Sequence, residues 1–229
     1  MGIVRMGPPS ELITRLRREF DIGQFIETGT YMGDTARWAA NDFRKVITIE
    51  FSKEIYDQVA KEGANDEKID YIYGDSRSAL KTILPKMEES AIFWLDSHWS
   101  GGATYGKEDE CPLIDEIGII NDTGKEHFLL IDDARLFMSP PPEPHDPAEW
   151  PTIDRVLAIK SGKHNCYIVI IEDVIVAVPL YAKALVESYC QEVNTSAWKK
   201  YGEEQLKSEA KKKEGHSLVG RALKLIFSR

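Results

Sequence analysis

The chain has 229 residues, 42% of them hydrophobic, enough to bury the core of one α/β domain. A formal charge of −9 speaks against a general nucleic-acid binder, whose footprint is basic. No apolar run approaches the ~18 residues of a membrane span, and Met6 stands where a myristoylation signal needs Ser or Thr.

The amino-terminal stretch MGIVRMGPPS also lacks the apolar segment of a signal peptide. Three scattered cysteines, Cys111, Cys166 and Cys190, suit neither a disulfide framework nor a CxxC metal site. The expected compartment is a reducing cytoplasm.

Apolar runs alternate with helical patterns along the chain, which predicts a parallel sheet wrapped by helices. A helix over 10–20 precedes the strand QFIET (24–28), and one over 34–42 precedes KVITIE (45–50). Helices over 52–62 and 76–88 precede IDYIYG (69–74) and AIFWLD (91–96). A helix over 112–121 leads to HFLLID (127–132), and one over 151–160 to CYIVII (166–171) and VIVAVP (174–179). A further helix covers 182–193. Each strand is short and apolar on both faces, as strands covered on both sides tend to be. Only Glu172 and Asp173 separate the last two strands, too few residues for a crossover, so these form an antiparallel hairpin. The expected fold is α/β: a Rossmann-like, doubly wound, seven-stranded sheet, mostly parallel, with a C-terminal antiparallel hairpin strand. Residues 1–197 form the domain and 198–229 a basic, helical tail. That tail carries nine Lys/Arg and four Glu, a net of +5 that leaves −14 for the rest. It is read as a solvated helix in preference to a segment seeking an acidic surface.

In a doubly wound sheet, ligands bind beyond the carboxyl ends of the strands where their order reverses. The turn after the first strand reads FIETGTYMGDT and has no close-set glycine triplet for a pyrophosphate. Gly29 and Gly33 frame Thr30, Tyr31 and Met32, and Glu27 and Thr28 precede them. A carboxylate at Glu27 would repel a pyrophosphate and attract an ammonium group. Glu50 ends the second strand, twenty-one residues after Gly29, a spacing suited to ribose hydroxyls. Asp75 and Ser76 end the third, within reach of an adenine ring. An amino-acid cation, a ribose and a base without phosphate describe S-adenosylmethionine. The other reading of these residues is a glycine-bearing turn in a different Rossmann-like fold.

Glu27-Thr28-Gly29-Thr30-Tyr31-Met32-Gly33, Glu50 and Asp75 resemble the successive cofactor motifs of class I S-adenosylmethionine-dependent methyltransferases. The likeness spans roughly residues 22–180. It is nearest to metal-dependent sugar O-methyltransferases of the macrocin O-methyltransferase type, which also place an aromatic residue between the glycines, as Tyr31 does. The resemblance implies cofactor contacts at Glu27, Thr28, Gly29, Thr30, Tyr31, Gly33, Glu50, Asp75, Ser76 and Asp96.

The fourth strand ends FWLDSHW and the fifth LLIDDAR, which brings Asp96, His98, Asp132 and Asp133 to neighbouring strand ends. Three converging carboxylates need a cation between them, and a hard divalent ion such as Mg²⁺ would serve. The resemblance makes Asp96, Asp132 and Asp133 its ligands. Each Asp taken alone reads equally as a turn or a helix cap. His98, with an ordinary pKa of ~6.5, suits a general base that takes the acceptor's proton. Sugar enzymes of the family commonly have Asp there, so the sugar acceptor is in doubt. The alternatives make His98 a further metal ligand or a hydrogen-bonding neighbour of Trp99.

Two loops, 97–112 with three glycines and 138–151 with six prolines, are long enough to act as lids. Trp99, Tyr105, His145 and Trp150 in them form either a ring-stacking floor for a sugar or local packing. Cys111 before Pro112 reads as structural, and His127 and His164 as surface residues at strand starts. In the tail, Leu218, Val219, Ala222, Leu223 and Ile226 share a face that suits docking on the body or on a dimer partner, leaving room for a homo-oligomer.

The resulting expectation is a cytoplasmic O-methyltransferase with S-adenosylmethionine and Mg²⁺ as cofactors, Asp96 and His98 at the reaction centre, and a small-molecule hydroxyl, such as a sugar's, as acceptor. Its rivals are a metal-dependent enzyme using the same carboxylates without S-adenosylmethionine, and a catalytically silent binding module.

Overall fold

The computed structural model describes residues 7–99, 109–161 and 164–226, without the side chains of 160, 161, 164 and 208–226. The glycine-rich part of the first long loop, with Tyr105, lies outside these residues. The chain divides into two compact units, Met1–Leu185 and Val186–Arg229.

Helix α1 (Ser10–Glu19) buries Leu12, Ile13 and Leu16, one stripe of its surface. It is followed by β1 (Gln24–Thr28), α2 (Asp34–Asp42), β2 (Lys45–Glu50), α3 (Lys53–Glu62) and β3 (Ile69–Tyr73). After α4 (Ser76–Ile83) come β4 (Ala91–Leu95), α5 (Leu113–Asn121) and β5 (Phe128–Ile131). A short α6 (Ala134–Met138), α7 (Ile153–Leu157), β6 (Lys160–Ser161), β7 (His164–Ile171), β8 (Val174–Pro179) and α8 (Lys183–Ile226) complete the order.

The eight strands lie in the order β3-β2-β1-β4-β5-β8-β7-β6. Neighbours from β3 to β5 are parallel, and β8 runs antiparallel to both β5 and β7. The seven strands expected from sequence are all present, and the addition is β6, a two-residue edge paired with the start of β7. Its brevity hides it from any periodicity. The hairpin turn places Glu172 and Asp173 at φ 51° and 71°, the paired left-handed conformation that suits a two-residue β-turn.

Strands β4 and β5 are buried along their whole lengths, and Phe93, Trp94, Phe128 and Leu130 are at most 1% exposed. Burying each such side chain contributes roughly 1.5–3 kcal/mol. Helix α4 ends at Ile83, short of the expected 88, because Leu84–Lys86 tightens into a 3₁₀ turn around Pro85. Helix α7 spans five residues where ten were expected, and α6 was not expected at all. Both are too short for a helical period to show in the sequence. Within the second unit α8 runs unbroken to Ile226, with Trp198 and Leu206 exposed.

The chain runs from β1 outward through β2 to β3, then crosses back to β4 on the other side of β1. The order reverses between β1 and β4, where Thr28 pairs with Leu95 on one side and Ile49 on the other. The residues just past these three set the floor of the candidate site.

Candidate active site

Gly29 adopts φ +88°, and a Cβ there would meet the Asp96 carbonyl oxygen at 2.2 Å. The glycine is thus required by a neighbouring strand's backbone, where sequence reasoning expected a ligand's approach. Asp96 N donates to Thr28 O (3.0 Å) and Gly29 N to Ile49 O (3.0 Å), so the first turn is knitted to both flanking strands. Tyr31, at φ 45°, donates its N–H to Glu50 Oε2 (3.0 Å), while Ser52 N donates to Glu50 Oε1 (2.8 Å). Glu50 therefore holds the first turn against the end of β2. Tyr31 itself is 64% exposed.

Glu27 is fully buried, accepts from Thr48 Oγ1 (2.6 Å), and Thr48 Oγ1 in turn lies 2.6 Å from Thr30 Oγ1. Burial pushes its carboxyl up to about 8, against the opposing hydrogen bonds of Thr48 and Thr35 and with the help of the Asp96 charge. Without a ligand, Glu27 is a neutral acid at pH 7 and not the anion that sequence suggests. Asp75 caps α4 by accepting from Ser78 N (3.0 Å) and pairs with Arg77 (Nη2–Oδ2 2.7 Å). Arg77 reaches on to Asp109 (2.6 Å) and Asp115 (3.5 Å). Ser76 is buried at the start of α4. The structure therefore brings Glu27, Thr28, Gly29, Thr30, Tyr31, Gly33 and Glu50 to one turn, while Asp75 is engaged in capping its own helix.

Beyond β4 and β5 the charges alternate. His98 Nε2 lies 3.0 Å from Asp133 Oδ2, and Nδ1 lies 3.4 Å from Asp96 Oδ1. Arg135 Nη1 is 2.7 Å from Asp133 Oδ1 and also pairs with Asp173 Oδ2. Asp173 Oδ1 accepts from Arg135 N (2.9 Å), and Asp173 O from Ala134 N (2.8 Å). Asp132 Oδ1 accepts from Asp133 N (2.8 Å), an interaction favoured by the left-handed φ of 55° at Asp133. Burial would by itself lower the His98 pKa, but the bond to Asp133 and the charges of Asp96, Asp133 and Asp132 outweigh it and raise it. Burial raises Asp96 and Asp132, and the neighbouring carboxylates add to that. Asp133 is held low despite burial by His98 and Arg135.

This arrangement does not suit the expected metal. Both oxygens of Asp133 are taken by protein cations and one of Asp132 by a backbone N–H. Among the described residues, no group of three or more His, Cys, Asp or Glu is disposed to hold a metal ion. Arg135, and His98 when protonated, meet part of the negative charge that seemed to call for Mg²⁺.

The two long loops meet at Glu110, which is 1% exposed. Its carboxylate accepts from Trp150 Nε1 (2.7 Å) and Asp146 N (2.9 Å) and lies 2.9 Å from His145 Nδ1. Its carbonyl accepts from Trp99 N (2.8 Å). Trp99 and Trp150 are 6% and 5% exposed, too buried for the sugar-stacking floor that sequence allowed. They pack locally instead: the His145 ring sits 4.7 Å from Trp99, and His98 sits 5.4 Å from Trp150. Burial pushes the Cys111 thiol up to about 12, consistent with a structural residue.

His127 is not a surface residue. It is 1% exposed, its Nδ1 accepts from Ala91 N (3.1 Å), and burial pushes its pKa down to about 4. Sequence reasoning also missed Arg135, Asp173, Glu110 and Glu116. Arg135 had a signal, since it stands two residues after the Asp pair. The buried Glu116, which accepts from Ser97 Oγ (2.7 Å), lies in the first turn of α5 beside Asp115, and no local pattern marks it.

By sequence, neither a family model nor a curated protein matches the chain. By structure it resembles many solved proteins. One is the O-methyltransferase TomG of Streptomyces achromogenes, involved in tomaymycin synthesis and solved with S-adenosylmethionine. It is 13% identical with a TM-score of 0.51, over 77% of this chain and 82% of that one. Another is a candidate caffeoyl-CoA O-methyltransferase of Staphylococcus aureus, 15% identical with a TM-score of 0.54, over 77% and 86%. A third, an O-methyltransferase of Bacillus cereus with S-adenosylhomocysteine, is 12% identical with a TM-score of 0.50, over 75% and 82%. The chain shares its fold with these solved methyltransferases, the Rossmann-like doubly wound sheet expected from sequence.

Proposed function

We propose that the protein is an S-adenosylmethionine-dependent O-methyltransferase acting on a hydroxyl of a sugar or other polyhydroxylated small molecule in the cytoplasm. The observation that carries this reading is the Tyr31–Glu50 clamp at the reversal point of the sheet, with Asp96 and His98 one strand away. In this reading Glu50 receives the ribose hydroxyls and Glu27 the ammonium, with Gly29, Thr30 and Gly33 shaping the turn between them.

The bound cofactor supplies a methyl group on a sulfonium, which is electrophilic at carbon. Glu27, Glu50 and the first turn would hold it so that the methyl could pass to an acceptor oxygen, with the carbon–sulfur electron pair left on sulfur. His98 takes the acceptor's proton. Asp133 holds Nε2, so Nδ1, with its longer 3.4 Å contact to Asp96, is the nitrogen open to an incoming hydroxyl. Asp96 then stabilises the imidazolium. The metal-assisted form of this reaction, which the resemblance implies, would need Asp133 to release His98 or Arg135. Among the described residues no helix is long and apolar enough to cross a membrane.

Calorimetric titration with S-adenosylhomocysteine tests the assignment. The wild type should bind, and Glu50→Ala should weaken binding about ten- to a hundredfold, since a hydrogen bond to a charged group contributes roughly 1.5–3 kcal/mol. A wild type that binds neither form of the cofactor is instead the silent module or the cofactor-free enzyme.

A further inference from the structure

The Asp96–His98–Asp133–Arg135–Asp173 series alternates in charge, and its last two members are fixed by the fold. Asp173 sits in the two-residue turn between β7 and β8, at φ 71°, with its side chain only 6% exposed. It grips Arg135 twice, by backbone N–H to Oδ1 (2.9 Å) and by guanidinium to Oδ2, and its carbonyl holds Ala134 N. The first turn of α6 is thereby tied to the far hairpin. Arg135 Nη1 then meets Asp133 Oδ1 (2.7 Å), whose other oxygen meets His98 (3.0 Å). A single guanidinium nitrogen, Nη1, thus lies between the carboxylates of Asp133 and Asp173, and an arginine carries its charge at every working pH.

We propose that Arg135, held by Asp173, is the built-in cation of this site. It supplies, from the Oδ1 side of Asp133, the positive charge that the sequence resemblance gives to a divalent metal, and through Asp133 it fixes the orientation of His98. Arg135 is a positioning residue: it touches neither acceptor nor cofactor and acts through Asp133. The inference rests on the O-methyltransferase reading only for the purpose that His98 serves, because the cation's identity can be measured without turnover.

The test is a Mn²⁺ titration of EDTA-treated protein, read by the electron paramagnetic resonance of free Mn²⁺, with S-adenosylhomocysteine binding measured on the same samples. Wild type should show no saturable Mn²⁺ site. Arg135→Ala frees one oxygen of Asp133 beside Asp96 and Asp132, and should bind Mn²⁺ more tightly than wild type by about tenfold or more, since affinity follows the count of available charged ligands. Arg135→Lys, which keeps a positive charge there, should restore most of the exclusion. Asp173→Asn keeps a residue suited to the left-handed turn while loosening Arg135, so it should shift Mn²⁺ affinity the same way as Arg135→Ala.

A saturable Mn²⁺ site in the wild type that Asp133→Asn removes would overturn the proposal. So would Arg135→Ala and Asp173→Asn variants that bind Mn²⁺ no better than wild type. Failure of the wild type to bind S-adenosylhomocysteine would defeat the methyltransferase reading and leave the Mn²⁺ result standing.

Discussion

Gly29 and Asp96 are packed backbone to backbone: a methyl group on the Gly29 α-carbon would lie 2.2 Å from the Asp96 carbonyl oxygen. The same contact sets the height of the turn after β1 relative to the strand that leads to Asp96 and His98. Gly29→Ala must relieve both that clash and a φ of +88°. We expect a loss of roughly 2–5 kcal/mol, combining left-handed strain with overpacking. Urea unfolding measures it, and a variant as stable as wild type would show that the two strand ends can part.

Glu27 gives cofactor binding a proton signature. Its carboxyl, pushed up to about 8 by burial, is mostly protonated at pH 7 in the free protein. An ammonium group beside it favours the ionised form. Binding of S-adenosylmethionine at pH 7 should therefore release up to about one proton, seen as a dependence of the calorimetric enthalpy on the buffer's ionisation enthalpy. Glu27→Gln should abolish that dependence. An enthalpy identical in all buffers would place the ammonium elsewhere.

His98 predicts both a rate and a pH profile. As general base its loss in His98→Ala should slow transfer by roughly 10²–10⁴-fold. Its pKa is raised by Asp133 and its acidic neighbours, so the active, unprotonated base appears only above the ordinary histidine range. The acid limb of the wild-type rate profile should therefore lie above pH ~6.5. A folded His98→Ala enzyme running at wild-type speed would remove the base role.

His127 predicts a different pH dependence, in stability. Its folded-state pKa of about 4 lies below the 6.5 of an unfolded histidine, so the unfolded chain takes up the proton first as pH falls. The neutral ring's contribution is complete above pH ~6.5 and declines between there and about 4, by about 3 kcal/mol in all. Unfolding free energies at pH 7 and 4.5 test this by comparing wild type with His127→Asn, which should lack that part of the decline. An unchanged decline in the variant would assign it to other groups.

The order of elements and the first-turn motif were legible in the sequence because both are local. Strands such as KVITIE and AIFWLD are short apolar runs, and Glu172-Asp173 leaves room for nothing but a tight turn. The position of the site follows from the same order, since a doubly wound sheet reverses beside β1. The tertiary structure alone decided how the charges there are paired. Asp173 is 38 residues from Arg135 along the chain, and His98 is 35 from Asp133, so no spacing rule links either pair. Glu110 likewise finds His145 and Trp150 only across two loops. Residue types told that carboxylates would converge and need a counter-charge. Whether an ion or an arginine meets that need depends on where a distant hairpin turn packs, and burial, which pushes Glu27 and His127 to their neutral forms, exists only once the sheet is covered.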